Sequence, residues 1–330
     1  MNVKDKNILF FSPSFFGFDK KIRNRLIELG AKVDLYDDRP SNSFWGKAIL
    51  RVSNFLMYKN IRDYYNGIAC KLKNHAEYDY IFLLNLEAMP VSFLKELRDS
   101  NPKAKIVIYM WDSIRRKKHT IDYRPYCDKM FTFDKEDKKM YDSIEFLPLF
   151  YLNEYAEIAK NKEYDYDLCF IGSAHTDRYA TVNKVLSQIS DRQYYVYWYL
   201  QSRKLYLYYR LYNTNFRHSR MSDFNYTPLK SEELLEFISK SKIILDIHSP
   251  YQSGLTMRTI ETLGAGRKLI TTNEAIRDYD FYNPQNIMVI DRHNPIVDMD
   301  FFEIPYEPLD KEIYYKYSLD GWLERIFENI

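Results

Sequence analysis

The sequence has few cysteines and no long apolar segment. Its 330 residues contain three cysteines, Cys70, Cys127 and Cys169, which lie far apart and form no CxxC pair. This spacing argues against a disulfide framework and a cysteine zinc site, and it is typical of a reducing compartment. The apolar run near the N-terminus stops at Pro13, and no other segment reaches 18 apolar residues without a charge. We therefore predict a cytoplasmic protein, free or peripheral at the inner face of the plasma membrane, with neither a membrane span nor a cleaved signal.

Common signatures of nucleotide binding and hydrolysis are also absent. Neither half contains GxGxxG, GxxxxGK followed by Ser or Thr, HExxH or GxSxG. The usual dinucleotide, P-loop, zinc-protease and α/β-hydrolase chemistries are therefore not indicated. The net charge is only +2, so no global field favours nucleic acid as a partner.

The length and composition indicate a soluble protein of two domains. A hydrophobic content of 46% with 28% charged residues is typical of globular chains. A chain of this length suits two domains of about 150 residues. We place them at 1–155 and 156–330, because a polar stretch near 150–165 separates two series of apolar runs.

The apolar runs predict strands of buried parallel sheets. Continuous apolar runs that alternate with helical stretches are typical of a sheet covered by helices on both faces. The fold class is therefore α/β with two Rossmann-like domains. The predicted strands are 7–12, 32–37, 80–85, 105–111, 129–134 and 146–151 in the first half, and 167–172, 194–200, 243–248, 268–272 and 287–290 in the second. We also predict helices within 45–74 and over most of 309–330.

Ligands of doubly wound folds bind at loops that follow the carboxyl ends of strands. In the first half these loops carry Phe15 and Phe16, which we place on the acceptor side of a site, and Glu87 and Asp112. In the second half they are GSAHTDR (172–178) and HSPYQSGLTMR (248–258). The small residues Gly172 and Ser173 let backbone N–H groups approach a phosphate, and Arg178 adds a positive charge. His248 and His175 end or follow strands; each is either a ligand contact or a structural residue.

A helix that begins near Leu255 offers a second anion site. It is preceded by Gly254, and its first turn includes Thr256 and Arg258. An arginine there opposes the helix dipole unless an anion lies between them. Glu261, one turn on, is an acceptor suited to ribose hydroxyls. We therefore predict a nucleoside diphosphate here, with Arg258 on the phosphates and Glu261 on the ribose; the alternative is a solvated ion pair three residues apart.

Two carboxylates of the first half are candidate catalytic residues. Asp112 follows a buried strand in MWDS, and Glu87 lies in LLNLEAMP. Either could deprotonate an acceptor hydroxyl, and either could instead cap a helix or anchor a loop.

The segment 192–222 is basic and aromatic. It has six Arg and Lys residues, ten aromatic residues and no acidic residue. Such a composition suits an anionic membrane surface that presents lipid-linked acceptors. Nucleic-acid stacking uses similar residues but lacks a recognised module here, and a core strand followed by an aromatic helix is the structural alternative. The shorter run RRKK (115–118) is either a solvated loop or a contact to membrane or phosphate.

Two stretches resemble a known family. The segment SGLTMRTIETLGAGRKLITTN (253–273), with IILDIH before it, resembles the donor-binding segment of bacterial GT-B glycosyltransferases of polysaccharide synthesis. YDLCFIGSAHTDRY and MFTFDKEDKKMY are similar to the CgeB-like branch. The resemblance implies two Rossmann-like domains facing a central cleft, with the sugar-nucleotide donor held by the C-terminal domain and the acceptor facing the N-terminal one. It also implies that the last helix, with Trp322 and Phe327, packs back on the first domain.

Carried over by position, Gly172 and Ser173 lie near the diphosphate, Arg258 is its counter-charge and Glu261 binds the ribose. One departure concerns Gly254, which stands where many retaining members have a second glutamate. Stereochemistry therefore does not transfer. We expect no metal and no cofactor, since arginine and the helix dipole can neutralise the leaving diphosphate.

The sequence thus predicts a glycosyltransferase that moves a sugar from a nucleotide-sugar donor, UDP-linked in our expectation, to a polysaccharide or lipid-linked glycan of capsule or lipopolysaccharide synthesis. The alternatives are a UDP-sugar epimerase of the same fold and a non-catalytic nucleotide- or glycan-binding protein.

Overall fold

The computed structural model describes residues 3–41, 58–73, 77–115, 117–250 and 253–328. The chain divides into two compact units. Unit 1 comprises 1–148 and 323–330, and unit 2 comprises 149–322. Each unit contains one sheet in which every registered strand pair is parallel, with six strands in unit 1 and five in unit 2. The predicted α/β class with two parallel sheets is confirmed.

The strands lie close to the predicted apolar runs. They are β1 (Asn7–Ser12), β2 (Lys32–Asp37), β3 (Tyr80–Leu84), β4 (Lys105–Met110), β5 (Lys129–Thr132), β6 (Glu145–Phe146), β7 (Tyr166–Ser173), β8 (Tyr194–Tyr199), β9 (Ser241–Asp246), β10 (Lys268–Thr271) and β11 (Ile287–Val289).

Helices connect these strands over the described ranges. They are α1 (Phe18–Glu28), α2 (Tyr58–Leu72), α3 (Val91–Ser100), α4 (Lys135–Met140), α5 (Asn153–Ile158), α6 (Arg178–Leu186), α7 (Arg203–Tyr212), α8 (Ser231–Ser239), α9 (Met257–Gly264), α10 (Asp300–Glu303), α11 (Lys311–Lys316) and α12 (Leu319–Phe327). Of the helix predicted within 45–74, residues 45–57 and 74 lie outside the described part. No helix of the described residues is long and apolar enough to cross a membrane.

Unit 1 has the strand order β2-β1-β3-β4-β5-β6. Its central strands are apolar on both faces, and the β4 residues after Lys105 are all buried. Helices α2 and α3 bring Ile61, Tyr65 and Leu94 into this core. The core also includes a segment distant in sequence, because the ring of Phe327 in α12 lies 5.7 Å from that of Phe82.

Unit 2 has the strand order β11-β10-β9-β7-β8. On one face of its sheet, Trp198 lies 4.4 Å from Phe170 between ring centroids, and Tyr179 stacks on Phe216. Part of the aromatic segment 192–222 is therefore core, including Trp198, Tyr206 and Phe216. Other residues of that segment, among them Leu207, Tyr208, Leu211 and Tyr212, are exposed.

Helix α9 fits closely against the segment that enters unit 2. A Cβ added to Gly264, its last residue, would lie 2.4 Å from Cγ of Tyr151. The helix ends in a Schellman turn, because N–H of Gly266 donates to Leu263 O and N–H of Arg267 donates to Thr262 O, with Gly266 at φ +57°. The two glycines thus serve close packing and a left-handed helix end.

Two predicted elements differ from the structure. The strand predicted at 146–151 is only the two-residue β6, since Pro148 has no N–H for a ladder and the chain here leaves the sheet. The helix predicted over 309–330 is broken between α11 and α12. N–H of Tyr151 donates to Tyr317 O, and N–H of Leu319 donates to Tyr151 O, both at 2.9 Å. This bridge uses backbone groups that a continuous helix would need for itself.

Candidate functional site

The strand order of each unit reverses beside its first strand. In unit 2, β7 has β8 on one side and β9 on the other, so loops that follow β7 and β9 diverge above the sheet. Such a switch point at the carboxyl ends of parallel strands is where ligands bind in open α/β sheets. In unit 1 the corresponding strands are β1 and β3. The predicted site residues of both units follow these strands or their neighbours.

Gly172 and Ser173 end β7, and the loop after them leads into α6. Arg178, the first residue of α6, folds back on the strand, with Nη1 donating to Ser173 O at 3.2 Å. A Cβ on Gly172 would lie 2.8 Å from the ring of Phe170 and 3.6 Å from that Nη1. The glycine therefore leaves room for the guanidinium beside the end of the strand.

The guanidinium of Arg178 is poorly compensated. Its Nε is buried and has no hydrogen-bond partner among the described residues. Burial lowers the pKa of Arg178 and Arg292 lowers it further, which Asp246 and Asp177 do not fully offset. A buried donor without a partner requires an explanation. Together these features indicate a cation that lacks an anion.

The backbone before α6 is strained. Thr176 has φ +55°, an unfavourable conformation for a β-branched residue. Its carbonyl accepts hydrogen bonds from Nδ2 of Asn213 and of Asn215, and its Oγ1 donates to His175 O at 2.6 Å. The segment after α7 thus holds the loop in place at a cost of about 1–3 kcal/mol. The loop is therefore positioned before any ligand arrives.

Arg292 joins the two switch-point loops. Its Nε and Nη2 donate to the two carboxylate oxygens of Asp177 at 2.7 and 2.6 Å, and its Nη1 donates to His248 O at 2.7 Å. This bidentate pair lowers the pKa of Asp177 to about 2. The sequence analysis missed Arg292, because it follows β11 and no local motif relates it to Asp177.

Both histidines of the site are neutral at pH 7. Burial, with a contribution from Arg178 and Arg292, lowers the pKa of His175 to about 4. Burial and Arg292 also lower the pKa of His248, whose Nδ1 lies 2.9 Å from Oγ1 of Thr272. The positive charge of the site therefore comes from arginines.

Asp246 anchors the start of α9. It ends β9 and accepts hydrogen bonds from the hydroxyls of Thr256 and Thr259, the latter at 2.9 Å. Thr256 is also the N-cap, since its Oγ1 accepts from N–H of Thr259 at 3.1 Å. Sequence analysis did not select Asp246, although its place at the end of a buried strand was visible.

Arg258 and Glu261 form an ion pair at the start of α9. Nη1 of Arg258 donates to Oε2 of Glu261 at 2.8 Å, and the side chains are 18% and 9% exposed. Burial and the nearby Glu261 raise the pKa of Tyr155, a buried residue of α5. Burial lowers the pKa of Arg258, but Glu261, Tyr155 and Asp246 raise it above its ordinary value overall. The pair is therefore largely buried rather than solvated.

The loop before α9 is also fixed. Gly254 and Leu255 are buried, and Gly254 O accepts from Nδ2 of Asn273 at 3.4 Å. Residues 251 and 252 of the predicted loop lie outside the described part of the chain.

In unit 1, one lysine holds both candidate catalytic carboxylates. Nζ of Lys117 lies 2.7 Å from Oδ2 of Asp112 and 3.2 Å from Oε1 of Glu87. Asn85, at φ +49°, exchanges two hydrogen bonds of 3.1 Å with Asp112. Lys117 belongs to the RRKK run, of which residue 116 lies outside the described part. This lysine contacts carboxylates of the site and is only 20% exposed.

A buried carboxylate positions the loop of Glu87. Asp38 accepts hydrogen bonds from N–H of Glu87, Ala88 and Met89 at 2.6–3.1 Å. Burial raises the pKa of Asp38, although these N–H groups and the hydroxyl of Tyr65 oppose the shift. The backbone that carries Glu87 is therefore fixed.

Phe15 and Phe16 form an exposed aromatic surface after β1. They are 46% and 73% exposed, and their rings meet edge to face at 4.5 Å. Phe15 also lies 6.1 Å from Trp111, the residue before Asp112. Phe16 has φ +47° and Gly17 has φ +76°. An exposed phenylalanine in a strained turn is energetically costly.

Among the described residues, no group of three or more His, Cys, Asp or Glu side chains is arranged to hold a metal ion. The cations at this end of the unit 2 sheet are the arginines Arg178, Arg258 and Arg292.

No family model and no curated protein sequence matches the chain. The structure is similar to an alpha-glucosyltransferase in complex with UDP and a 13-mer DNA, with a TM-score of 0.58 and 15% identity over 98% of this chain and 96% of that one. It is also similar to HepE of Anabaena in complex with UDP and glucose, with a TM-score of 0.58 and 9% identity over 98% of this chain and 100% of that one. UDP-GlcNAc 2-epimerase of Neisseria meningitidis, bound to UDP-GlcNAc, has a TM-score of 0.55 and 9% identity, with 98% of each chain covered.

At such low identity these similarities establish the fold. The chain has two Rossmann-like domains of the type found in GT-B glycosyltransferases, as the sequence predicted. A similar fold occurs in an epimerase, so the fold by itself does not identify the reaction.

Proposed function

We propose that the protein is a glycosyltransferase of the CgeB-like branch. In this proposal it moves a sugar from a UDP-linked donor to a polysaccharide or lipid-linked glycan of capsule or lipopolysaccharide synthesis. The C-terminal domain, predicted at 156–330, binds the donor. The N-terminal domain, predicted at 1–155, binds the acceptor. The reaction takes place in the cytoplasm and uses neither a metal nor a cofactor.

The observation that carries the donor site is the buried Nε of Arg178, which has no partner among the described residues. It lies at the switch point, on the first residue of a helix whose amino end favours anions. A diphosphate there would accept from Arg178 and from the backbone after Gly172 and Ser173.

Arg258 and Glu261 would extend the donor site. A guanidinium has five donors and an ionised carboxylate about four acceptor sites, so their mutual bond leaves capacity for a ligand. Arg258 would bind the diphosphate, and Glu261 would accept from ribose hydroxyls. The bond from Arg258 would orient Glu261 for this role. His248, Gly254, Leu255 and Thr256 would line the same donor site.

UDP is the donor nucleotide we favour, because UDP or a UDP-sugar is bound in several proteins of similar fold. Leaving-group charge would be neutralised by Arg178 and Arg258, which is why we expect no requirement for a divalent cation.

On the acceptor side, we assign the general base to Asp112 and a supporting role to Glu87. Asp112 is the more exposed, at 41% against 28%, and a base must reach the hydroxyl that it deprotonates. Phe15 and Phe16 offer an apolar surface to a sugar ring.

The aromatic surface of unit 1 also favours transfer over epimerisation. An epimerase acts on the donor sugar alone and has no use for a surface that binds an acceptor. Phe16, at 73% exposed, would be a liability without such a role. A non-catalytic binding protein would keep the arginines and bind the donor, but it would neither transfer nor epimerise the donor sugar.

The first test is a thermal-shift panel with UDP, GDP, CDP, ADP and dTDP on the wild type, Arg178→Met and Arg258→Met. A nucleotide at about 100 times its Kd stabilises the folded state by roughly 2.7 kcal/mol. We expect UDP to shift the wild type and to shift neither variant. Arg25→Met is the control, since Arg25 lies in unit 1, where it pairs with the exposed Glu28 at 2.8 Å.

Turnover separates the remaining alternatives. A transferase releases UDP from a UDP-sugar, slowly with water and faster with glycan acceptors, and EDTA leaves the rate unchanged. Conversion of the UDP-sugar to its epimer, followed by NMR, would support the epimerase. Binding without either reaction would support a non-catalytic binding protein. If no nucleotide raises the melting temperature of the folded wild type, the donor-site proposal is wrong.

A further inference from the structure

Unit 2 contains a cavity at the amino ends of β9 and β10, the end of the sheet opposite the candidate donor site. It has a volume of about 600 Å³, within the range of small-molecule sites. Its walls include Lys242, the second residue of β9, and Lys268, the first residue of β10. Asp246 of the donor site ends the same strand β9, about 13 Å further along. The two sites are therefore separate.

Three lysines line this cavity, namely Lys162, Lys242 and Lys268. None of them forms an ion pair with a carboxylate in the described part of the chain. The single carboxylate of the wall, Glu303, is bound to Arg192 at 2.7 Å. The cavity thus has an excess of positive charge.

Two of these lysines, Lys242 and Lys268, are held in place by backbone carbonyls. Lys268 is 1% exposed, and its Nζ donates to Phe301 O and to Ile304 O and lies 3.8 Å from the ring centroid of Phe301. Nζ of Lys242 donates to Phe302 O. These carbonyls orient the ammonium groups but carry no full negative charge, so the electrostatic excess persists.

Burial and neighbouring positive charges lower the pKa of two of the lysines. Burial, together with the charge of Lys242, lowers the pKa of Lys268 to about 8. Burial and the nearby Arg267 lower the pKa of Lys162. Positive charges that repel one another in a cavity are stabilised by a bound anion.

The rest of the wall suits a ring. Tyr164, Tyr306 and Tyr314 line the cavity with Pro305 and Leu309. The guanidinium of Arg267 lies 4.9 Å from the ring centroid of Tyr164 on the protein side. Aromatic faces beside cations bind ligands that combine a planar or sugar ring with an anionic group.

We propose that this cavity is a second ligand site for a phosphorylated small molecule that carries a ring, with the phosphate on Lys162 and Lys242, near the buried charge of Lys268, and the ring on Tyr164 and Tyr306. A nucleotide and a sugar phosphate share this chemistry. The site is additional to the donor site and does not depend on the proposed transfer reaction.

Lysine acetylation tests the proposal, because the candidate donor site is built from arginines while this cavity is built from lysines. The wild type is pulse-labelled with an acetylating reagent and the labelled residues are quantified by mass spectrometry. The probes are UDP, AMP, glucose 6-phosphate and inorganic pyrophosphate. A ligand at about ten times its Kd leaves roughly one site in eleven free, so acetylation of Lys162 and Lys242 should slow about tenfold. Lys103, 86% exposed in unit 1, is the internal control.

The probes also identify the ligand. Protection by AMP or UDP indicates a nucleotide site, and protection by glucose 6-phosphate indicates a sugar-phosphate site. Protection by pyrophosphate alone would overturn the ring contact. Lys162→Glu places a negative charge at the exposed rim of the cavity and should abolish protection of Lys242, whereas Lys103→Glu should not.

Unchanged labelling of Lys162 and Lys242 with every probe would overturn the proposal and would reduce these lysines to supports of the segment 301–304. That result would leave the proposed function intact if UDP still raised the melting temperature of the wild type and not that of Arg178→Met.

Discussion

At the scale of single residues, the most constrained charge of the candidate site is Asp177. It receives two hydrogen bonds from Arg292, which also binds His248 O, so one carboxylate fixes the ends of two loops. Its pKa is about 2 in the folded protein, against 3.8 for an unperturbed aspartate. The folded state therefore binds a proton less readily here than the unfolded chain does, and this pair contributes stability above about pH 4.

We predict that Asp177→Asn lowers the free energy of unfolding at pH 7 by roughly 2 kcal/mol, because the shift in pKa is lost and Arg292 keeps a partly buried charge. The difference from the wild type should close as pH falls from 4 to 2, where the wild-type carboxylate itself becomes protonated. Urea titrations across this range measure it. Asp99→Asn, at an exposed position, should show no such dependence, and a gap that stays constant down to pH 2 would contradict the account.

Sequence alone did not reveal which charged groups meet. Arg178, Arg258, Asp112 and Glu87 could be selected because each follows a predicted strand or begins a predicted helix, and the carboxyl ends of parallel strands share one edge. Their partners could not be selected in the same way. Lys117 lay in a basic run that suggested solvent, and Arg292 lay in no motif. Asp246 lay within the predicted strand IILDIH, where nothing marked its threonine partners, since pairing in space depends on loop paths that local patterns do not encode.

At the scale of elements, the packing of α9 shows how one glycine positions the site. Gly264 allows the ring of Tyr151 to lie directly against the end of the helix, while the other end carries Arg258. Any shift of the helix away from Tyr151 would therefore move the candidate donor contacts.

We predict that Gly264→Ala destabilises the protein by at least 2 kcal/mol, since its Cβ would lie 2.4 Å from Cγ of a buried tyrosine. Gly67→Ala is the matched control. Gly67 lies inside α2 with nothing within 4 Å of an added Cβ, so alanine there should stabilise by about 0.5–1 kcal/mol. Chemical denaturation of both variants gives the comparison. Equal effects of the two substitutions would contradict the packing argument.

Strands were easier to predict than helix ends. The central strands β1, β3 and β4 coincide with apolar runs, because a strand buried on both faces must be apolar throughout. The break between α11 and α12 was not predictable from 309–330, because it arises from hydrogen bonds to Tyr151, a residue more than 150 positions earlier. Likewise β6 is short because of a proline and the departure of the chain from the sheet.

At the scale of the whole molecule, the outer face of α7 bears on where the protein works. Leu207, Tyr208, Leu211 and Tyr212 are 52–77% exposed on this helix. Around them lie exposed cations that form no ion pair within the described residues, namely Arg203, Lys204, Arg210, Arg217 and Arg220. We propose that this face binds an anionic membrane surface and so brings the enzyme to lipid-linked acceptors, each cation near the surface contributing about 1 kcal/mol.

We predict that the wild type sediments with vesicles containing phosphatidylserine but not with neutral vesicles, and that Leu207→Glu with Leu211→Glu reduces the bound fraction more than tenfold. The loss follows from removing two apolar anchors, each worth about 1.5–3 kcal/mol, and adding two negative charges. Ile27→Glu with Met140→Glu is the control, at apolar residues 41% and 53% exposed in unit 1. Equal binding of both double variants would exclude this face.

Unit 1 is built from two separate stretches of the chain, and the order of synthesis gives this a consequence. Residues 323–328, including Phe327 against Phe82, leave the ribosome only after all of 149–322. At ordinary rates of translation that delay is on the order of ten seconds. Unit 2 therefore has its entire sequence available before unit 1 does. During that interval the nascent unit 1 exposes the apolar surface around Phe82 that Phe327 later covers.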